Sequence, residues 1–206
     1  MTAIAIVIDT LNGGGAEKIC LTLARPIEHL ECQTEIFVLK RKCDYEVPSD
    51  LTVHFLSDDE KLKLTRTKVQ KNLAIKLKEK IASGTSSENK PFDLVLSNLD
   101  PCHAIVDQAD LNGQVYYVVH SSIEHNLRRE ARFGPIKYFR QLRRIKHLNH
   151  KHVICVSEGL ADEVRQSRHV QPKTVTTIYN PIDLYGIRKL SQERNPEIPN
   201  EPYVVH

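Results

Sequence analysis

No run of apolar residues in this 206-residue sequence approaches the roughly 18 needed for a membrane-spanning helix. No basic leader precedes the first apolar run, residues 4–8, and that run is too short for the core of a secretion signal. The expectation is therefore a soluble chain. The five cysteines are scattered, odd in number and free of C-x-x-C spacing, which favours reduced thiols in a cytosolic compartment over disulfides or a zinc site. His125, His147, His150 and His152 follow no metal-ligand spacing. The net charge of +3 is too small to argue for nucleic acid, so only its distribution matters. There is no internal repeat. With 40% hydrophobic and 27% charged residues, the composition is that of an ordinary globular protein.

What is present begins at the N-terminus. Ile4-Ala5-Ile6-Val7-Ile8 is a buried strand by composition, followed by a polar turn, Gly13-Gly14-Gly15 and a helix start. Glycine lets the backbone pass close to a bound group, and the helix N-terminus behind it offers free N–H groups. A ligand site and a plain strand-to-helix connection both fit this stretch. Ala16, Ile19, Cys20, Leu23, Ala24, Ile27 and Leu30 continue at helical spacing, with Pro26 predicting a kink or an early stop near Arg25.

Strands are predicted over residues 35–40, 51–56, 93–97, 115–119, 152–156 and 175–179. Helices are predicted over 62–82 and 102–109, over a basic segment 135–149, and from Glu158 with Ser157 as its cap. Residues 84–90 form a hydrophilic loop, predicted mobile. Strands alternating with helices argue for an α/β, Rossmann-like parallel sheet with helices on both faces. Ligands of such sheets bind beyond the carboxyl ends of the strands. His120 ends an apolar strand there and can donate or accept a hydrogen bond near neutral pH. Asp9 and Asn12 on the first loop, and Asn98 and Asp100 on the fourth, are similarly placed; binding of sugar hydroxyls and plain solvation of polar loop residues both fit them.

Residues 128–151 hold nine Lys or Arg against the single acid Glu130. On a helical wheel Tyr138, Phe139, Leu142, Ile145 and Leu148 share one side, with Lys137, Arg140, Arg143 and Arg144 on the other. Such a helix either lies on an anionic membrane or acceptor, or packs on a sheet and turns its charge to water. No interleaved aromatic platform supports nucleic acid. Further on, Pro196, Pro199 and Pro202 mark a linker, and Tyr203-Val204-Val205 begins another apolar strand. The expected organisation is a Rossmann-like domain over residues 1–190. Residues 191–206 would then be a linker and the first strand of a second domain that is missing.

Four elements in order complete a pattern. Gly14-Gly15-Ala16-Glu17 resembles the G-G-A-E signature of retaining GT-B glycosyltransferases of the group 1, family 4 type. Val119-His120 resembles their strand-end histidine, Val156-Ser157-Glu158 their V-S-x element, and Ile178-Tyr179-Asn180-Pro181-Ile182-Asp183 their segment leading to the interdomain linker. The resemblance implies one half of a GT-B fold, the acceptor side, in an enzyme that moves a sugar from a nucleotide-sugar to a glycan or lipid-linked acceptor with retention. It implies backbone contacts from Gly14 and Gly15, a sugar contact from His120 near the reacting centre, and lesser roles for Glu17 and Asn180. No metal or other cofactor is implied, since fixed donors and dipoles would meet the charge on the leaving diphosphate. The basic helix, with Arg140, Arg143 and Arg144, then fits a lipid-linked or lipopolysaccharide acceptor at the cytoplasmic face of a membrane. This half alone is expected to be inactive. The competing reading is a free-standing glycan- or nucleotide-binding module. A dinucleotide oxidoreductase is disfavoured, because the loop is N-G-G-G-A-E and Glu35 is a poor ribose-binding signal.

Overall fold

The computed structural model describes residues 2–25 and 31–193. Seven parallel strands form one sheet: β1 (Thr2–Ile8), β2 (Cys32–Val38), β3 (Thr52–Phe55), β4 (Leu94–Asn98), β5 (Gln114–Val119), β6 (His152–Cys155) and β7 (Thr174–Thr177). Their spatial order is β3-β2-β1-β4-β5-β6-β7. The chain winds outward from β1 in one direction, then restarts at β4 in the other. That reversal opens a crevice beyond the carboxyl ends of β1 and β4, where neighbouring connections leave on opposite sides.

Alternation along β1 sets the two layers. Ala3, Ala5 and Val7 face the larger core with Phe37, Leu77, Val95 and Ile105, while Ile6 and Ile8 face a smaller one with Cys20, Leu21, Ile36 and Val38. The smaller layer is closed by α1 (Gly15–Ala24). The larger layer is built under α2 (Thr67–Ala82), α3 (Asp100–Ala109), α4 (Ile123–Arg132), α5 (Pro135–Ile145) and α6 (Glu158–Gln166). A 3-10 turn, Lys146–Leu148, links α5 to β6, and α7 (Leu184–Ser191) follows β7.

Several elements differ from the sequence reading, each for a local reason. α1 ends at Ala24, consistent with the helix-breaking effect of Pro26; Pro26, Ile27 and Leu30 themselves lie outside the described residues. α2 starts at Thr67, not residue 62, and Leu64 is buried from a turn ahead of the helix. α4 went unseen because its sequence, IEHNLRREAR, buries only Ile123 and Leu127. The basic helix is therefore the second arm of a pair, and it stops at Ile145. Phe139, assigned to the buried side, is 65% exposed, because α5 packs through Gln141, Ile145 and the half-buried Tyr138 and Leu142. The three prolines and Tyr203–Val205 also fall outside the described residues.

The loop after α2 is tied down rather than free. Glu35, 1% exposed on β2, accepts from Ser86 N (2.6 Å) and Ser86 Oγ (3.0 Å) and lies 2.6 Å from His54 Nε2. Thr85 N and Lys90 O close the loop at 2.8 Å. A buried carboxylate needs such partners, since a charge left without them costs several kcal/mol, on the order of the penalty for any desolvated ion.

Leu77, fully buried between α2 and the sheet, is the clearest test of the larger core. Leu77→Ala should lower unfolding stability by about 2–5 kcal/mol in a urea titration. A loss below about 0.5 kcal/mol, the range of a surface substitution, would contradict this packing.

Candidate functional site

The carboxyl end of β1 feeds the glycine loop. Leu11 is held by a short parallel bridge to Cys43, through Leu11 N to Lys42 O (2.9 Å) and Asp44 N to Leu11 O (3.0 Å). Asn12 sits between the Asp44 carboxylate and Lys42 Nζ, so its side chain is engaged within the protein. Gly13 takes a φ of +67°, the left-handed turn that glycine adopts without strain. Gly14 caps α1 with extended backbone, and its carbonyl accepts from Tyr45 OH at 2.9 Å. The Glu17 carboxylate folds back onto Gly14 so closely that a Cβ there would overlap it. Around Gly15 nothing lies within 4 Å. Glycine is thus favoured by the backbone at 13, a side chain at 14 would have to displace the Glu17 carboxylate, and position 15 is open to the outside.

The neighbouring strand ends bring together polar and titratable side chains. Asn98, 3% exposed, donates through Nδ2 to Val7 O (3.3 Å) and Leu96 O (3.1 Å). Both amide protons therefore go to carbonyls, and Oδ1 is left facing His120 Nε2 at 2.9 Å. An amide oxygen can only accept, so Nε2 must carry the proton and Nδ1 becomes the acceptor atom of the ring. Burial also pushes the His120 pKa down, which keeps the ring neutral. Asp9, at the end of β1, binds Thr10 N at 2.9 Å; burial, then the charge of Glu17, raise its pKa against the pull of that hydrogen bond.

Behind these lies His103 on α3, a residue the sequence hid within the apolar face Cys102–Ala104–Ile105–Val106. Its Nδ1 is 2.8 Å from Ser97 Oγ, and burial drives its pKa to about 4. Leu99, between Asn98 and Asp100, has φ +69°. A leucine in that region stores on the order of 1–3 kcal/mol of strain, held here by the packing of Leu99 into the smaller core.

Three hollows gather these residues. A cavity of about 290 Å³ is lined by Asp9, Asp100, His103, His120, Gln141 and Arg144, among others. An apolar groove of about 470 Å³ runs from Asn98 and His120 over the sheet face to Tyr179, Asn180 and Pro181. A polar cleft of about 400 Å³ holds Arg140, Arg143 and Arg144. Asp9, His120 and Arg144 thus converge, Asn180 reaches the same neighbourhood from the other side, and Asn98 acts from beneath. Asn12, Gly14, Gly15 and Glu17 line none of the three. Glu163 of α6 was also missed: it binds Ser122 Oγ (2.6 Å) and Glu124 N (3.0 Å), anchoring the start of α4 after His120. Gln141 likewise escaped notice; it donates to Asp100 Oδ2 at 2.9 Å. Nothing in a polar helix marks such residues in advance. Among the described residues no group of three or more His, Cys, Asp or Glu is placed to hold a metal ion, and no helix is long and apolar enough to cross a membrane.

Residues 13–185 match the family described as Glycosyltransferase Family 4. No curated protein matches the chain in sequence. Among solved structures it is similar to the apo form of a lipopolysaccharide outer core galactosyltransferase, WaaB, at 14% identity and TM-score 0.50, covering 88% of this chain and 46% of that one. A sucrose-phosphate synthase from Thermosynechococcus elongatus matches at 16% identity and TM-score 0.55, over 88% of this chain and 48% of that one. The apo form of UGT2 from Phytolacca americana matches at 9% identity and TM-score 0.57, over 94% and 55%. At these identities the likeness is one of fold. The chain spans about half the length of these three structures.

The two depressed histidines give a pH signature. Their folded values lie below the ordinary 6.5, so between about pH 6.5 and pH 4 the unfolded chain binds more protons and stability rises with pH. The melting temperature should therefore fall as pH is lowered through that window, and His103→Gln should flatten the fall. An unchanged slope in the variant would contradict the burial of a neutral His103.

Proposed function

The chain belongs to glycosyltransferase family 4, and from that footing we propose that the whole protein moves a sugar from a nucleotide-sugar to a glycan or lipid-linked acceptor, with retention at the anomeric carbon. Its setting is the synthesis of cell-surface polysaccharide or lipopolysaccharide, on the cytoplasmic face of a membrane. The observation that carries the reading is the Asn98–His120 bond at 2.9 Å, which presents a neutral ring of defined tautomer beside the cavity. Nδ1 accepts a hydrogen bond from a hydroxyl of the transferred sugar and fixes its reacting carbon against the acceptor. The bond from that carbon to the diphosphate oxygen breaks as the bond to the acceptor oxygen forms, and the acceptor's proton leaves with the diphosphate. The N-terminus of α1, opened at Gly15, offers N–H groups to the developing negative charge. No metal or other cofactor is invoked. By itself the 206-residue chain is proposed to be inactive, and sugar transfer by it would overturn that point.

The membrane side of the reading is supported by the turn between α4 and α5 and the start of α5. Phe133, Ile136 and Phe139 are 62%, 82% and 65% exposed. Arg128, Arg129, Arg132 and Lys137 surround them in sequence, with Lys137 Nζ 4.4 Å from the Phe133 ring. Apolar side chains amid a basic collar suit insertion at an anionic surface.

In the full-length enzyme, His120→Ala should reduce turnover on the order of a hundredfold, as loss of one preorganised polar contact does elsewhere, while the circular dichroism spectrum shows the fold retained. Near-wild-type turnover would remove His120 from the site. In flotation with phosphatidylglycerol vesicles, replacing Phe133, Ile136 and Phe139 together by serine should abolish binding; unchanged flotation would sink the membrane reading.

A further inference from the structure

Beside the His120 cavity, the cleft of about 400 Å³ is walled by the first turn of α2 and by the arginine flank of α5. Arg140, Arg143 and Arg144 line it, and among the described residues none of the three is ion-paired. Among the described residues, Arg144 alone of the three has a side-chain hydrogen bond, to Gln141 Oε1 at 3.5 Å. The nearby carboxylates are engaged: Asp100 accepts from Gln141, and Asp107 lies 3.0 Å from His147 Nδ1 and 2.5 Å from Lys151 Nζ. The opposite wall adds to the positive charge. α2 starts without a side-chain cap and without an acid in its first turn, and its first internal bond runs from Gln70 N to Arg66 O. The N–H groups of Thr67, Lys68 and Val69 therefore have no acceptor within the helix, and Thr67 and Gln70 both line the cleft. Three arginines and a helix N-terminus line one concave space against a single carboxylate, that of Asp100. Their like charges repel across the cleft, and an anion bound between them would relieve that repulsion.

We propose that this cleft seats a phosphate or diphosphate group of the acceptor while the hydroxyl to be glycosylated lies in the His120 cavity. The inference rests on the glycosyltransferase reading and names the acceptor's chemistry. The two hollows share Asp100, Pro101 and Arg144 as lining, so one molecule can occupy both. Guanidinium forks match phosphate oxygens in pairs. Along α5, Ile136, Arg140 and Arg143 stand at i, i+4 and i+7 on one face. That stripe passes from the exposed apolar turn to the cleft within about 10 Å. The order suits an acceptor whose phosphate lies between an apolar tail and a sugar, although a soluble sugar phosphate shares the same anionic group.

The test is calorimetric titration of the full-length protein with inorganic pyrophosphate, farnesyl diphosphate and glucose 6-phosphate at fixed salt. It compares wild type, Arg140→Gln with Arg143→Gln, and Lys80→Gln at the far end of α2. The proposal expects saturable binding of at least one phosphate, weakened tenfold or more in the double variant and unchanged in Lys80→Gln. Both arginines are exposed, so the melting temperature should hold. Tighter farnesyl diphosphate than pyrophosphate assigns the group to a lipid carrier, and tighter glucose 6-phosphate assigns it to a soluble acceptor. No saturable binding, a loss under twofold, or binding only to phosphatidylglycerol vesicles overturns the proposal. Since the readout needs no turnover, absent sugar transfer with intact, arginine-dependent binding would sink the enzymatic reading and leave the cleft standing.

Discussion

Asn98 is the constraint on which the site depends. It is buried at the end of β4 with both amide protons given to backbone carbonyls, Val7 O on β1 and Leu96 O on its own strand. An amide so held cannot turn over without setting its acceptor oxygen against two carbonyl acceptors, a cost of about 1–3 kcal/mol for each unsatisfied group. Its remaining oxygen therefore dictates the tautomer of His120 on β5. Three adjacent strands, β1, β4 and β5, are joined through one side chain at the edge where the topology reverses. Chemistry placed there inherits the rigidity of the sheet rather than that of a loop.

The glycines of the first loop play a different part from the one their spacing suggests. Gly13 answers to the protein itself by turning left-handed, and the Glu17 carboxylate occupies the space beside Gly14. Only Gly15 faces open space. The loop is also braced from β2's side by Asn12, Asp44 and Tyr45. The start of α1 is thereby fixed before any ligand arrives. On the other flank, Glu163 holds the start of α4, so His120 lies between two anchored helix starts.

The sheet was legible because β1, β4 and β5 are continuous apolar runs, which nothing but a strand covered on both faces explains well. His120 was legible for the same reason: a polar residue ending an apolar strand in such a sheet must stand at the ligand edge. What stayed hidden was hidden physically. His103 sits on a helix face among Cys102, Ala104 and Ile105, where sequence cannot separate a cavity-lining residue from core. α4 buries two of its ten residues, too few for a periodic signal. Phe139 was placed inside because a helical wheel knows spacing but not the position of the neighbouring helix. The arginines were read as one basic face, whereas Arg144 lines the His120 cavity as well as the cleft that it bounds with Arg140 and Arg143. Convergence of that kind comes from the first turn of α2, which lies far away in sequence.

The most direct test of the central claim is the titration of the His120 ring by nitrogen-15 NMR. Asn98 and the burial of the ring predict a proton on Nε2, an unprotonated Nδ1, and a midpoint below the ordinary 6.5. A ring protonated on Nδ1 at neutral pH, or a midpoint at or above 6.5, would contradict the account.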